Sequence, residues 1–452
     1  MEPGSPGLVR TLGLWDVTAI TAGTILGSAI FVAAAFVPRE MPHPTVALLL
    51  WVAGGLITIA GALTYAELGT MFPKAGGQYE YLKQAFGPLW GFLFGWTSLI
   101  AIQAGANAYL GVAFGEYLGA FLPFFSSTHT IASIPVGPWT WQPNTTQLAG
   151  VSAIALLSIV NYFGTRQGAA VQGTLTAIKL LSVAGLIGFG LLAPPKVSPE
   201  WTAPLPSGNV LAAMGLAIAG VLGCFDGWYQ ATLSAGEIKR PERNLPLGMI
   251  SGTALIGVVY VLVNLVYFRA MPMAELGASA RIGEQATTAL LGPAAGRLLA
   301  AAVLVSIFGC LSSAIIGASR LGLPMSEDAP ALRWMSRIHP RYKTPTASIV
   351  TLGLWSMLLV LTGSYEQLFQ YSLFSTFIFH VITGLALFHL RRQRPDAPRP
   401  YRVAGYPWVP ALFLVAMTGL VLNTLYERPV QSLVGVGLVA LGVPLYRWRR
   451  AR

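Results

Sequence analysis

Apolar residues run along this chain in blocks of about 20, the length that crosses a bilayer as a helix, and polar residues collect in the stretches between them. About twelve blocks can be marked: residues 14–36, 46–70, 89–121, 147–163, 170–193, 209–235, 246–268, 297–320, 346–362, 368–390, 407–425 and 430–446. Each predicts a membrane-spanning helix, and together, as spans one to twelve, they predict an all-α polytopic membrane protein. The first block is too long for a cleavable signal and lacks a small-residue cleavage site, so it is expected to remain as a span.

Two spans are interrupted at their centres. Span one carries Gly23-Thr-Ile-Leu-Gly-Ser-Ala-Ile-Phe31, and span six carries Gly220-Val-Leu-Gly-Cys-Phe-Asp-Gly-Trp228. A glycine in a helix interior costs roughly 1 kcal/mol relative to alanine, and hydrocarbon tolerates freed backbone groups only where they line a cavity. Close helix packing through small residues is one reading of such glycines. The other is a pair of discontinuous helices, whose positive half-helix ends hold an anionic group and whose unwound carbonyls hold a cation. Breaks at corresponding positions of two halves point to a site between inverted repeats, here the openings of two five-span halves, although the halves share little sequence otherwise.

Inside the spans, ionisable residues are few. Lys179 lies about midway along span five, a depth at which a lysine is read as functional, and Asp226 lies in the break of span six. Glu67, near the end of span two, either gates or pairs with a loop arginine, or snorkels to the interface. Gln103 and Asn107 share one face of span three and either line a pocket or bond across helices. Span eight carries the polar stripe Ser306, Gly309, Cys310, Ser312 and Ser313, whose hydroxyls could ligate a cation or bond between helices. Span ten places Phe374, Thr376, Phe379 and His380 near its centre, where a histidine shuttles protons or packs by hydrogen bonding.

Composition fixes the class. With 54% hydrophobic and 10% charged residues and a mean hydropathy of +0.62, the chain lacks the polar surface of a soluble globule. The net charge of +11 is a matter of topology. Counting spans alternately from a cytoplasmic N-terminus, one side collects Arg10, Lys74, Lys83, Arg166, the 239–243 cluster, Arg320 to Lys343, Arg391 to Arg402 and the tail from Arg447. The other side holds Arg39, Lys196, Arg269, Arg281, Arg297 and Arg428. The excess of Lys and Arg marks the cytoplasmic side, so both termini are expected there and no nucleic-acid partner is expected.

Four stretches carry a resemblance: Gly23 to Phe31; Phe225-Asp-Gly-Trp with Glu237 and Pro241-Glu-Arg-Asn-Leu-Pro; Phe308-Gly-Cys-Leu with Ser319-Arg-Leu; and Tyr65-Ala-Glu-Leu with Pro73 to Tyr79. In this order they resemble the amino acid, polyamine and organocation transporter superfamily, most of all bacterial members of its L-type amino acid transporter branch. The resemblance implies a LeuT-type fold: a first repeat over residues 14–193, an inverted second over 209–390, and two accessory helices over 407–446. It implies sodium-independent amino acid exchange or facilitated passage by alternating access in a bacterial inner membrane, without a cofactor. In that scheme the N–H groups of Ser28 and Ala29 hold the substrate carboxylate, with the Ser28 hydroxyl assisting. Carbonyls near Ile25, Gly223 and Asp226 hold the ammonium, and Gly27, Phe225, Gly227 and Phe379 complete the substrate site. Ala29 stands where the family usually has glycine and narrows the room beside the carboxylate. Gly223 replaces a bulky aromatic and would enlarge the pocket. Asp226 stands where some members carry an acid associated with cationic substrates or with coupling, and members with Asp-Gly-Trp also include carriers of neutral amino acids. Lys179 would take the place of a bound sodium ion beside Gly23, Ser312 and Ser313. The loop between spans three and four has no cysteine, and Cys224 and Cys310 lie within spans, so no disulfide-linked single-pass partner is expected.

Other classes fit less well. A membrane enzyme would need a nucleophile with its base or a metal set, and no His-Glu-x-x-His, Gly-x-Ser-x-Gly or clustered Asp and His occurs in the spans. A channel would conduct without saturation or counterflow. Among carriers, proton- or sodium-coupled symport of an amino acid or polyamine is the alternative to exchange.

Overall fold

The computed structural model describes residues 10–73, 76–136, 139–163, 168–202, 204–205, 207–319, 325, 334–335, 337–342 and 344–450. Lys74, Arg166, Arg320 and Lys343 of the basic loops lie outside the described residues. Among the described residues, nine helices are long and apolar enough to cross a membrane, and three shorter apolar helices accompany them at Ala177–Leu192, Thr346–Val360 and Ser432–Arg447. All twelve expected spans therefore have a helical counterpart.

Span one runs from Leu14 to Glu40, longer than its apolar block, because Pro38 sits inside the closing helix Phe36–Glu40 instead of opening a turn. Its break is real: helix Leu14–Ile25 stops, residues 26–28 bend, and Ala29–Val32 and the tighter turn Ala33–Ala35 continue the path. Span six repeats the device, with helix Val210–Cys224, a turn through Gly227 at φ 101°, and a 3-10 run Trp228–Glu237. The N-terminal lead joins this run, since Leu12 pairs with Ile238 and the N–H of Lys239 donates to Leu12 O at 2.8 Å. Both breaks pack on span seven, Pro241–Ala270.

Span three, Pro88–Leu118, contains a π segment at Ser98–Ile102. Such segments release carbonyls from the helical ladder, and side chains bond them: Trp355 Nε1 donates to Ile100 O at 2.9 Å and Ser372 Oγ to Ile102 O at 2.9 Å. Asn107 bonds across helices, its Nδ2 donating to Ser356 Oγ at 3.3 Å. The stretch after Pro73 forms an interfacial helix, Gln78–Phe86, tied to span ten (Tyr365–Gln393) by Gln78 Nε2, which donates to Phe379 O and Thr383 Oγ1. The long loop after span three holds a two-stranded hairpin, Ile134–Val136 with Trp139–Trp141.

Glu67 is fully buried and holds a hub near the face where span one begins and span twelve ends, the face of the described termini. Arg391 of span ten grips it with two bonds of 2.9 and 2.6 Å and stacks on Tyr406, while the Val403 N–H donates to the same carboxylate at 2.7 Å. Arg399 Nε stands 3.5 Å away, close enough for charge but outside hydrogen-bonding geometry. Pairing with loop and helix-end arginines, not snorkelling, is thus Glu67's role. Removing one partner of a buried pair leaves the other charge uncompensated, at a cost of about 3–5 kcal/mol. Glu67→Gln is therefore expected to lower unfolding stability in detergent by about that much, read as a shift in the denaturant midpoint; a loss under 1 kcal/mol would show the pair to be solvent-screened.

Candidate functional site

A broken helix leaves carbonyls without intrahelical donors, and in hydrocarbon each must find another. Three tyrosines supply them. Tyr260 Oη of span seven reaches Ile25 O at 2.9 Å and Cys224 O at 3.0 Å, one from each break. Tyr267, two turns along the same span, donates to Ile30 O at 3.2 Å, and Tyr117 of span three donates to Phe31 O at 2.8 Å. All three are fully buried.

The breaks touch. Gly227 adopts a left-handed φ, and a Cβ added there would lie 2.8 Å from Thr24 O of span one. In span one, by contrast, a Cβ at Gly23 would meet nothing within 4 Å, and one at Gly27 only ordinary contacts. Close packing therefore does not account for the span one glycines. No backbone bond of the described residues takes the N–H groups of Ser28 or Ala29, so two donors stand at the start of the short helix Ala29–Val32. Asp226 lies half-buried in the turn between the halves of span six.

Other expected site residues are placed differently. Ile25 O already accepts from Gly27 N–H at 2.7 Å and from Tyr260, so its two lone pairs are engaged. The space beside Gly223 is filled from span ten, where Leu373 and Phe369 would lie 2.4 and 2.6 Å from an added Cβ, so the glycine does not enlarge a pocket. Phe225 is wedged between Trp51 and Tyr260, at ring separations of 6.3 and 5.1 Å, on the side of spans two and seven. Phe379 packs against Phe94 of span three. Lys179 reaches span eight (Pro293–Ser319), but its ammonium meets Cys310 Sγ at 3.7 Å, while Ser312 faces Asn161 of span four (Thr145–Phe163). Ser306 Oγ is buried without a partner.

Aromatic clusters lie to either side of the breaks along the spans. Toward the face with the termini, Tyr65, Trp228, Tyr229, His380 and Phe413 form one cluster, with Tyr65 Oη 2.7 Å from His380 Nδ1. His380 is thus a hydrogen-bonded packing residue. Toward the other face, Tyr365 and Phe369 stack on each other and each packs against both Phe36 and Tyr109, at ring separations of 5.1 to 6.2 Å. The tyrosines on the carbonyls escaped sequence reasoning because a tyrosine in a span resembles any packing aromatic. The one available signal was the seven-residue spacing of Tyr260 and Tyr267, which puts both on one face.

Residues 12–441 match the amino acid permease family. The chain is 30% identical over 458 residues to the serine/threonine exchanger SteT of Bacillus subtilis strain 168, covering all of this chain and 99% of that one. It is 33% identical over 430 residues to the human b(0,+)-type amino acid transporter 1, covering 95% and 85%. With the human cystine/glutamate transporter it shares 28% identity over 443 residues, covering 97% and 85%.

Because the Gly227 contact is with backbone, no rotamer can relieve it. Gly227→Ala is expected to abolish more than nine-tenths of substrate uptake while leaving the amount of membrane-inserted protein within twofold of wild type; Gly23→Ala should keep at least half. Equal losses for the two would contradict the geometry.

Proposed function

The chain belongs to the amino acid permease family, and on that premise we propose that it exchanges amino acids across the membrane without sodium, binding them between the breaks of spans one and six. It is an amino acid transporter that crosses the membrane many times, and not an enzyme. The observation that carries the binding reading is the pair of free N–H groups at Ser28 and Ala29, next to two breaks that meet at Gly227 and Thr24. A carboxylate suits those donors, since an anion is favoured at a helix start. The ammonium of an α-amino acid then finds the carbonyls near Gly223 and Asp226, with Gly27 and the Ser28 hydroxyl lining the same turn. Ile25 O becomes available only where Tyr260 turns to Cys224 O, because a hydroxyl has one proton to give.

The two breaks support a LeuT-type architecture in which residues 14–193 and 209–390 are inverted repeats and 407–446 are accessory. The bias of Lys and Arg supports cytoplasmic termini, and similarity to a Bacillus exchanger supports a bacterial cell membrane. Both cysteines lie within spans, one of them buried, which supports a carrier with no disulfide-linked partner. Lys179, buried in span five with its ammonium at Cys310 of span eight, supports independence from sodium: a tethered ammonium with three donors does the work of a bound ion between these spans.

In proteoliposomes without sodium, an internal load of unlabelled amino acid should accelerate uptake of the labelled one. Lys179→Ala should reduce that counterflow at least tenfold while span five stays inserted. Uptake that rises steeply with sodium and ignores Lys179→Ala would establish the symporter alternative. Asp226→Asn separates the substrate classes: if the acid reads a side-chain charge, transport of lysine or arginine should fall at least fivefold more than that of serine or leucine, whereas equal losses would assign Asp226 to coupling or gating.

A further inference from the structure

At the face opposite the termini, four charged side chains from distant parts of the chain converge. Arg428, between span eleven (Trp408–Glu427) and span twelve (Pro429–Arg450), donates through Nη2 to Glu40 at the end of span one, at 2.8 Å. Through Nη1 it donates to Gln370 at 2.6 Å and to Glu366 at 3.3 Å, both in the first turns of span ten. Arg39 pairs with the other oxygen of Glu366, and its Nε donates to Gly277 O at 2.7 Å. From the sequence alone, Arg39 and Arg428 are legible only as markers of topology.

Beneath the cluster lies a crevice walled by Phe36, Gly220, Phe369 and Leu373, with Glu40, Gln370 and Arg428 at its rim. Its volume is about 40 Å³, room for a few water molecules and too little for an amino acid. Phe369 and Leu373 are the residues that press on Gly223, in the last turn of the first helix of span six. The crevice therefore runs from the charged rim to the edge of the break, between elements joined at the rim by two guanidinium groups, of which Arg428 alone reaches Glu40, Glu366 and Gln370 together.

We propose that this crevice is the closed entrance for amino acids on this face and that Arg428 is its latch. The magnitudes fit a latch better than a permanent brace. The four side chains are 22 to 37% exposed, so water screens their pairing more than that of the enclosed Glu67 and Arg391. Removing Arg428 also leaves Glu40 and Glu366 facing each other with Arg39 alone to compensate, and like charges then favour separation of span one from span ten. The inference deepens the alternating-access reading and rests on it, but its test needs no substrate.

A cysteine placed in the crevice wall (Ala219→Cys) and a membrane-impermeant maleimide give the readout, in sealed vesicles of both orientations, with the chain lacking that substitution as the blank. With Arg428 intact, alkylation should be slow from either side. Adding Arg428→Gln should raise the rate at least tenfold, from the Arg428 face alone. Arg281→Gln, which breaks another ion pair on the same face, should change the rate by less than twofold. An unchanged rate with Arg428→Gln, equal acceleration by Arg281→Gln, or entry from the face of the termini would overturn the proposal. Glu366→Gln, which removes the charge shared by Arg39 and Arg428, is held to the same thresholds and decides the matter if the Arg428 variant fails to insert. Absence of counterflow in the unaltered protein would count against the amino acid reading and leave the alkylation result standing by itself.

Discussion

The hydroxyl of Tyr260 is the contact on which the centre of this protein depends. Two interrupted helices bring unpaired carbonyls to the middle of a membrane, where an unsatisfied polar group costs several kcal/mol. One buried O–H stands within 3.0 Å of a carbonyl from each. Since it carries one proton, it satisfies both only by sharing or alternating. One hydroxyl thus ties the two breaks to each other and to span seven, while Ile25 O keeps a second donor in the Gly27 N–H.

Around this centre, aromatic stacking and charge are segregated. Ring clusters flank the breaks along the membrane normal, while charged side chains collect near the two faces, the Glu67 hub on one and the Arg428 cluster on the other. The two charge clusters differ in kind. Glu67 is entirely enclosed and receives a bidentate arginine and a backbone N–H, so rupture exposes a large desolvation debt. The members of the other cluster remain partly hydrated, and their separation costs little. The Glu67 cluster accordingly resists separation of the elements it joins more than the Arg428 cluster does.

Much of this was legible in the sequence. Apolar blocks locate spans because hydrocarbon forces backbone bonds to close within each helix, making length and hydropathy sufficient. The breaks were legible for the same reason: glycine beside polar residues at mid-span has few structural uses. Position within the site was not. Phe225 and Phe379 stand in or near motifs yet turn to neighbouring helices, and Gly223 opens no space because Phe369 and Leu373, some 150 positions away, fill it. Ser312 faces Asn161 instead of the lysine for a similar reason, a tertiary pairing without local signature. The Arg39, Glu40, Glu366 and Arg428 cluster joins residues hundreds of positions apart, and no periodicity records such a meeting.

Span eleven is the least enclosed of the long apolar helices, yet polar contacts anchor the chain just before it and just after it. Val403 donates to Glu67 ahead of the span, and Arg428 bridges Glu40 and Glu366 behind it. A helix bathed in lipid along its length and pinned by charge at its ends responds to hydrocarbon thickness by tilting, at a fraction of a kcal/mol per Å of mismatch. Such a tilt displaces the guanidinium at one end against the carboxylates it bridges. The acyl-chain length of the surrounding bilayer thereby bears on this protein through a span whose Phe413 packs on Trp228 and whose Asn423 bonds Ala212, both in the broken span six.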